Sequence, residues 1–407
     1  MLGNYLKKYA FRDQLIEKEC LLDTGIIVVI PAHDEKSLIP TLSILSNCTR
    51  AKDKVEVIVV FNASETDENV VLERNKMAQE ELRYWYNRQN LEQLPFRLLV
   101  IEENSLPSKH AGVGLARKIG MDEAVRRFQS IDNKNGILVC FDADSLCEPN
   151  YLVAVEEHFK KNKGAVSLHF EHPIEGDEFD REVYEGIYYY ELHLRYYKNG
   201  LHFANLPYAY HSIGSSMAVD VLSYSKQGGM NRRKAGEDFY FLQKFIDIGV
   251  LTELYTTTVI PSPRASHRVP FGTGRAIQEM LDSEREIEKS YAFECFITLK
   301  ECFTRVNEWY LKEPNWNSKL IEYYGEEFLN QKLEEIRKQS TNETRFLKRF
   351  FQWFNAFQCL KFIHFLRDQY FKNKPLINEG EKLLIALDVI LQDNLLLTYR
   401  KLDKKES

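Results

Sequence analysis

The seven cysteines of this 407-residue chain (Cys20, Cys48, Cys140, Cys147, Cys295, Cys302 and Cys359) form no CxxC pair and are odd in number. A disulfide framework or structural zinc site is not the expectation, and a reducing compartment is. No apolar run approaches the ~20 residues needed to cross a bilayer. Met1 to Lys8 holds no apolar signal core before charged, helix-favouring residues follow. The expected location is therefore cytoplasmic, either free or peripheral at the inner face of a membrane. The chain also lacks a basic excess: its formal charge is −6, which argues against nucleic acid as a partner. Internal repeats and low-complexity tracts are missing as well. A hydrophobic content of 44% suits a folded protein with a real core, and the length suits a main domain plus a substantial appendage.

Within this ordinary composition one feature stands out. Gly136 to Phe141 is an apolar run without polar alternation, the pattern of a strand buried on both faces, and it is closed by Asp142-Ala143-Asp144. A similar run lies at Gly25–Ile30, stopped by Pro31, a β-branched run at Val55–Phe61 ends in Asn62-Ala63-Ser64, and Leu98–Ile101 and Ala165–Phe170 suit further strands. Helical spacing separates them, at Ser37–Cys48 and again through Ala116, Ile119, Ala124 and Val125. That rhythm predicts an α/β fold with a Rossmann-like, mostly parallel sheet flanked by helices. A Tyr-rich helix is expected around 181–199, a loop at Lys226–Lys234 and a helix from about Glu237 to Ile248. Residues 1–24 read as a charged helical lead-in. Residues 25–275 read as the main domain, with halves 25–150 and 151–275, and 276–407 as a helical C-terminal extension.

Ligands of open α/β sheets sit beyond the carboxyl ends of the strands, where Asp142 and Asp144 fall. Oxygen ligands at this spacing suit a hard divalent cation, Mn²⁺ or Mg²⁺, which in turn holds a diphosphate; an Asp-rich turn with no ligand is the plainer reading. Lys109 to Gly120 combines Gly112 and Gly114 with Lys109 and Arg117, so that backbone N–H groups and charge are able to meet a phosphate; a glycine-bearing loop with solvated bases is the alternative. The proline- and glycine-rich segment Pro261–Arg275 gathers Arg264, His267, Arg268 and Arg275. A loop this basic in an acidic protein calls for an anionic partner, and Gly272-Thr273-Gly274 offers a hinge for a closing lid.

Pro31-Ala-His-Asp-Glu35 after the first strand, Asp142-Ala-Asp144 after the fourth and Glu237-Asp238 opening a later helix occur in that order. Together they resemble family 2 glycosyltransferases of the GT-A fold over residues 25–275. The resemblance implies that the turn Pro31, Ala32 to Glu35 receives a nucleoside and that Asn62 pairs with a base edge, although the family's commoner acidic residue is missing there. It implies that Asp144 ligates the metal, with Asp142 binding ribose or reaching the metal through water. Asp238, beside Glu237, becomes the general base of an inverting transfer. Lys109, Arg117, Arg264 and Arg268 would meet the donor diphosphate. His267 is a third metal-ligand candidate, and in that role retaining relatives become the better analogues. The implied partners are a UDP- or GDP-sugar donor and a glycan or glycoconjugate hydroxyl acceptor, lipid-linked or not. A nucleotidyltransferase and a non-catalytic sugar-binding protein are the competing classes.

The tail stretch Arg345–Arg367 carries aromatics nearly all round, with bases at both ends. It reads either as a buried helix of a helical cap or homodimer interface, or as an interfacial helix meeting anionic lipid.

Overall fold

The computed structural model describes residues 1–268 and 272–405. Eight strands form one sheet: β1 (Thr24–Ala32), β2 (Lys54–Ser64), β3 (Arg97–Leu106), β4 (Ile137–Cys140), β5 (Leu146–Cys147), β6 (Ala165–Phe170), β7 (Met217–Asp220) and β8 (Leu251–Ile260). Their spatial order is β3-β2-β1-β4-β7-β6-β8-β5. The pairs β2–β3, β1–β2, β1–β4 and β6–β8 are parallel, whereas β7 runs antiparallel to both of its neighbours, β4 and β6. Helices cover both faces, and a helical region follows at the C-terminus. This is the expected α/β, Rossmann-like architecture.

Period-2 side-chain alternation divides the β1 residues between two cores. Ile26, Val28 and Ile30 join one with Leu42 and Val155, while Ile27 and Val29 join the other with Ile119 and Val125. Gly120, in the helix Val113–Ser130, is needed for the second: a Cβ there would come 2.4 Å from Val29. Pro31 ends the apolar run but not the strand, since β1 continues to Ala32. A proline is tolerated at that point because β4 has already ended, so no ladder bond on that side needs its missing N–H.

Three expectations on local structure change. In the lead-in only Leu2–Tyr9 is helical. The rest of residues 10–23 runs irregularly over the helix Val113–Ser130, whose buried polar side chains bind its backbone: Asp122 accepts from Phe11 N–H, Glu123 from Leu15 and Ile16 N–H, and Arg127 donates to the carbonyls of Lys18 and Glu19. The 19-residue helix Asn69–Asn87, which hydrophobic periodicity did not single out, crosses from β2 to β3. The aromatic stretch 345–367 is two helices, Glu343–Trp353 and Ala356–Gln369, because Asn355 caps the second by accepting from the N–H groups of Phe357 and Gln358. Phe346, Phe350, Phe354 and Phe362 bury themselves in a cluster shared with Leu192, Tyr196 and Phe296. Among the described residues no helix is long and apolar enough to cross a membrane.

The C-terminal helix Leu395–Lys405 is fastened to the long helix Arg181–Phe203 by a buried charge network. Asp403 accepts from Arg195, Lys198, Asn199 and His211, and Glu191 accepts from Arg195, His172 and Arg400. Burial opposes the charge on Asp403, yet Arg195, His211 and Lys198 hold its carboxyl well below the usual range. Glu171, likewise desolvated but held by His169, Lys404 and Arg400, is lowered to about 2. Burial pushes the His211 imidazole down to about 4. Folded values below unfolded ones mean that these groups stabilise at neutral pH and lose that contribution on acidification. Thermal unfolding should therefore show the melting temperature falling as pH drops from 6.5 through 4, where His211 must charge, and falling further from 4.5 toward 2 as Glu171 protonates.

Candidate active site

The carboxyl ends of β1, β2 and β4 open onto a cavity of about 1190 Å³. Its wall includes Pro31, Glu35, Asn62, Arg117, Asp142, Asp144, Glu237, Asp238, Arg264 and Arg268. The three acidic motifs, far apart in sequence, thus face one space. The antiparallel β7 helps: Met217 pairs with Cys140, so Ser212–Ser215 arrives at the rim beside Asp142.

Arg117 is the junction of the site. Its guanidinium is buried and donates to Asp142 on one side and Glu237 on the other. It ties the turn after β4 to the start of the helix Glu237–Ile246, and it also lines the cavity. Gly114 allows this closeness, because a Cβ there would lie 2.3 Å from the Arg233 carbonyl oxygen. The glycines of this segment therefore serve the approach of the 233–237 loop, although Gly112 and Val113 also line the cavity. Lys109 is exposed and off the cavity wall, whereas Lys234 is on it.

Asp238 sits just inside the helix start and accepts from Phe239 N–H at 2.7 Å. Burial raises its carboxyl above the ordinary value against the pull of Arg117, and the Asp142 carboxylate raises it further. Asp144 is raised to about 6 by burial and by the Asp142 and Glu35 carboxylates, while Arg264 and Arg268 oppose. The short strand β5 explains why Arg264 is there. Leu146 pairs with Ile260 at the end of β8, so the loop that follows β8 must pass the Asp142–Asp144 turn. Arg264 Nε lies 2.6 Å from Asp144, and its other two nitrogens bind Glu35 at 2.7 and 2.8 Å. Arg268 adds a 2.6 Å contact to Glu35 and another to the His33 carbonyl. Glu35, desolvated but held by Arg264 and Arg268, is lowered. It anchors the basic loop at the cavity wall.

Asn62 is buried and donates its side-chain amide to the Ala32 carbonyl at 2.9 Å, clipping the ends of β1 and β2 together. Ala32 itself is fully buried and contributes that carbonyl rather than cavity wall. Asp67, beyond the end of β2, lines the cavity, accepts from Ser64 N–H and lies 3.8 Å from His33. Sequence distance from the strand end concealed it.

His267 is exposed, off the cavity wall and 3.4 Å from Arg275, which also pairs with Glu279 at 2.8 Å. It does not join Asp144, and among the described residues no three acidic, histidine or cysteine side chains are grouped to hold a metal. The Asp142 and Asp144 carboxylates remain hard oxygen donors of the type that suits a cation completing its shell with water and substrate phosphate. Gly272-Thr273-Gly274 lines the cavity where the helix Thr273–Leu281 begins, with Gly272 at φ 116° as its cap.

The far end of the cavity was not foreseen. The helix Arg181–Phe203 presents Tyr190, His193, Tyr197 and Leu201 there, and the C-terminal region adds Arg285, Tyr291, Phe357 and His364. The spacing of the first four is that of one helix face, a signal present in the sequence but indistinguishable from a core stripe. Tyr291 shares a hydrogen bond with His364 at 2.9 Å, and His193 one with Ser290 at 2.7 Å. Burial, with Arg285 adding to it, lowers His193 to about 4, so it is neutral near pH 7.

No protein-family model and no curated protein matches the chain. Among solved structures, S. aureus TarS 1–349 in complex with UDP-GlcNAc is similar at 13% identity and a TM-score of 0.40, over 72% of this chain and 77% of that one. The same protein with UDP gives 13% and 0.39, over 74% and 78%. The mannosyltransferase PcManGT from Pyrobaculum calidifontis, in complex with GDP-Man and Mn²⁺, gives 14% and 0.38, over 85% and 92%. Likenesses this distant carry no weight for what this chain does.

Replacing Arg117 by Ala leaves Glu237 buried without its cation, which should cost about 3–5 kcal/mol in urea unfolding. The double variant Arg117→Ala, Glu237→Gln should recover part of that loss; a simple sum of the Arg117→Ala and Glu237→Gln effects would show that the residues are not coupled.

Proposed function

We propose that this chain is a nucleotide-sugar glycosyltransferase of GT-A family 2 type. It would move a sugar from a UDP or GDP donor to a hydroxyl of a glycan or glycoconjugate with inversion. The observation that carries the reading is the Arg117 bridge, which brings Asp142 and the Glu237-Asp238 pair together on the wall of one cavity. Residues 25–275 would form the catalytic domain, with the nucleotide received by 25–150 and the acceptor by 151–275. Residues 276–407 would close the acceptor end.

In this reading the donor base and ribose lie along Pro31, His33, Asn62 and Asp67, and Arg264 and Arg268 exchange carboxylates for diphosphate oxygens when donor enters. Guanidinium forks suit that exchange, since phosphate and carboxylate present similar oxygen geometry. Asp144 and Asp142 would hold Mn²⁺ or Mg²⁺, which supplies charge neutralisation at the leaving nucleoside diphosphate when bound. Asp238 takes the proton from the acceptor hydroxyl. Its raised basicity supports that role, because a carboxylate near its ordinary value is a weak base at neutral pH. The phenol and imidazole groups at the far end would stack against and hydrogen-bond a sugar ring. With His267 away from Asp144, the retaining alternative loses the ligand that suggested it.

Asp238→Asn should lower kcat by about 10²–10⁴-fold and remove the acidic limb of the pH–rate profile. In the parent that limb should lie above the ordinary Asp value of 3.8, because the folded carboxyl is raised. Asp144→Ala should abolish metal-stimulated release of UDP or GDP from its sugar donor while the chain stays folded. EDTA should stop turnover and Mn²⁺ or Mg²⁺ restore it. Release of pyrophosphate instead would make the chain a nucleotidyltransferase, and a product anomer unchanged by NMR would make the transfer retaining.

A further inference from the structure

A second hollow, of about 460 Å³, lies outside the active cavity between the N-terminal helix Leu2–Tyr9 and the loop before Glu237. Lys8, His110, Lys118, Arg232 and Arg233 converge on it. Lys118 is buried and already balanced by Asp122 at 3.0 Å. Among the described residues the other cations make no ion pair. Lys8 lies 5.0 Å from the Tyr9 ring, Arg232 5.4 Å from Phe11 and Arg233 3.7 Å from Tyr240, so rings support these side chains without neutralising them. Burial and the neighbouring Arg232 charge both work against the Lys118 ammonium, although Asp122 favours it, so positive charge is crowded here.

A concentration of unpaired positive charge is unusual in a chain of net charge −6. Its setting is informative too. Tyr9, 42% exposed, stands on the same short helix as exposed Lys7 and Lys8, and Met1, 65% exposed, is its N-cap. Lys234, next in sequence to Arg233, is on the wall of the active cavity. Basic side chains beside exposed apolar ones match the two parts of an anionic bilayer surface, phosphate headgroup and acyl boundary. From this charge complementarity we propose that the face formed by the N-terminal helix and the Arg232-Arg233 loop docks on an anionic phospholipid surface, setting the mouth of the cavity at the membrane. The contact would thus be made by this face and not by the aromatic C-terminal helices.

The test is co-sedimentation of the full chain with vesicles of phosphatidylcholine alone or with phosphatidylserine added, at low and high salt. Binding should require phosphatidylserine and weaken as salt rises. Each cation removed should cost about fivefold, so Arg232→Glu with Arg233→Glu should lower binding at least tenfold. Arg345→Glu with Lys348→Glu, on the C-terminal helices, should leave it unchanged. Circular dichroism and melting temperature establish that each variant folds. Equal binding to both vesicle types would overturn the proposal, as would loss confined to the 345/348 variant. So would capture of soluble polyphosphate with no vesicle binding, which would mean a site for a free polyanion.

Discussion

A guanidinium taken out of water needs opposite charge within hydrogen-bond reach or the fold cannot keep it there. Arg117 finds two carboxylates, Asp142 and Glu237, that belong to different halves of the chain. Its position is itself fixed, because the helix Val113–Ser130 lies close on β1 and β2 through Gly120. The rest of the site follows from this one contact. It fixes the turn after β4, it sets the beginning of the helix Glu237–Ile246, and it leaves the neighbouring Asp238 directed at the cavity instead of at the arginine.

The electrostatics of the cavity rest on that arrangement. Asp142, Asp144, Glu35 and Asp238 share a partly desolvated space, and their repulsion would be severe without cations. Arg117 supplies one from the interior. Arg264 and Arg268 supply two more from the loop after β8, brought in by the pairing of β5 with the end of β8. The balance is uneven. Glu35, with two arginines, is lowered, while Asp144 and Asp238 are raised. A cavity built this way accepts either a further cation or a ligand whose phosphates release the arginines from their carboxylates.

Legibility in the sequence tracked how local the cause of each feature was. The strands at 24–32 and 137–140 were readable because burial on both faces leaves an uninterrupted apolar run, and those at 54–64 and 165–170 because apolar residues still dominate around the buried Glu56, Ser167 and His169. The helix Asn69–Asn87 was not, because its inward positions include Asn75 and Gln79, which hydropathy counts as surface. Asn75 is buried for its hydrogen bonds, one to the Asn62 carbonyl and one from Asp34 N–H. The break at Asn355 had a local signal, a capping residue within an aromatic run, but the run masked it. Lys109 and Lys234 show the limit at the site: the basic residue adjacent to the glycines in sequence points away, and one from a distant loop takes the wall.

The chain's own order of residues determined the α/β class, the position of the acidic pair Asp142 and Asp144 at a strand's carboxyl end and the place of Glu237 and Asp238 at a helix start. Those properties depend on neighbours a few residues apart, through strand periodicity and helix-start chemistry. Tertiary structure alone decided that Arg117 bridges two motifs, that Arg264 and Glu35 hold each other, that Asp67 reaches the cavity wall and that His267 stays outside. It also decided that Tyr291 and His364 from the C-terminal region join Tyr190, His193 and Tyr197 in finishing the cavity. The reason is physical. The energy of a buried charge depends on which opposite charges and dipoles surround it in space, and that surrounding is set by sheet order and register rather than by separation along the chain.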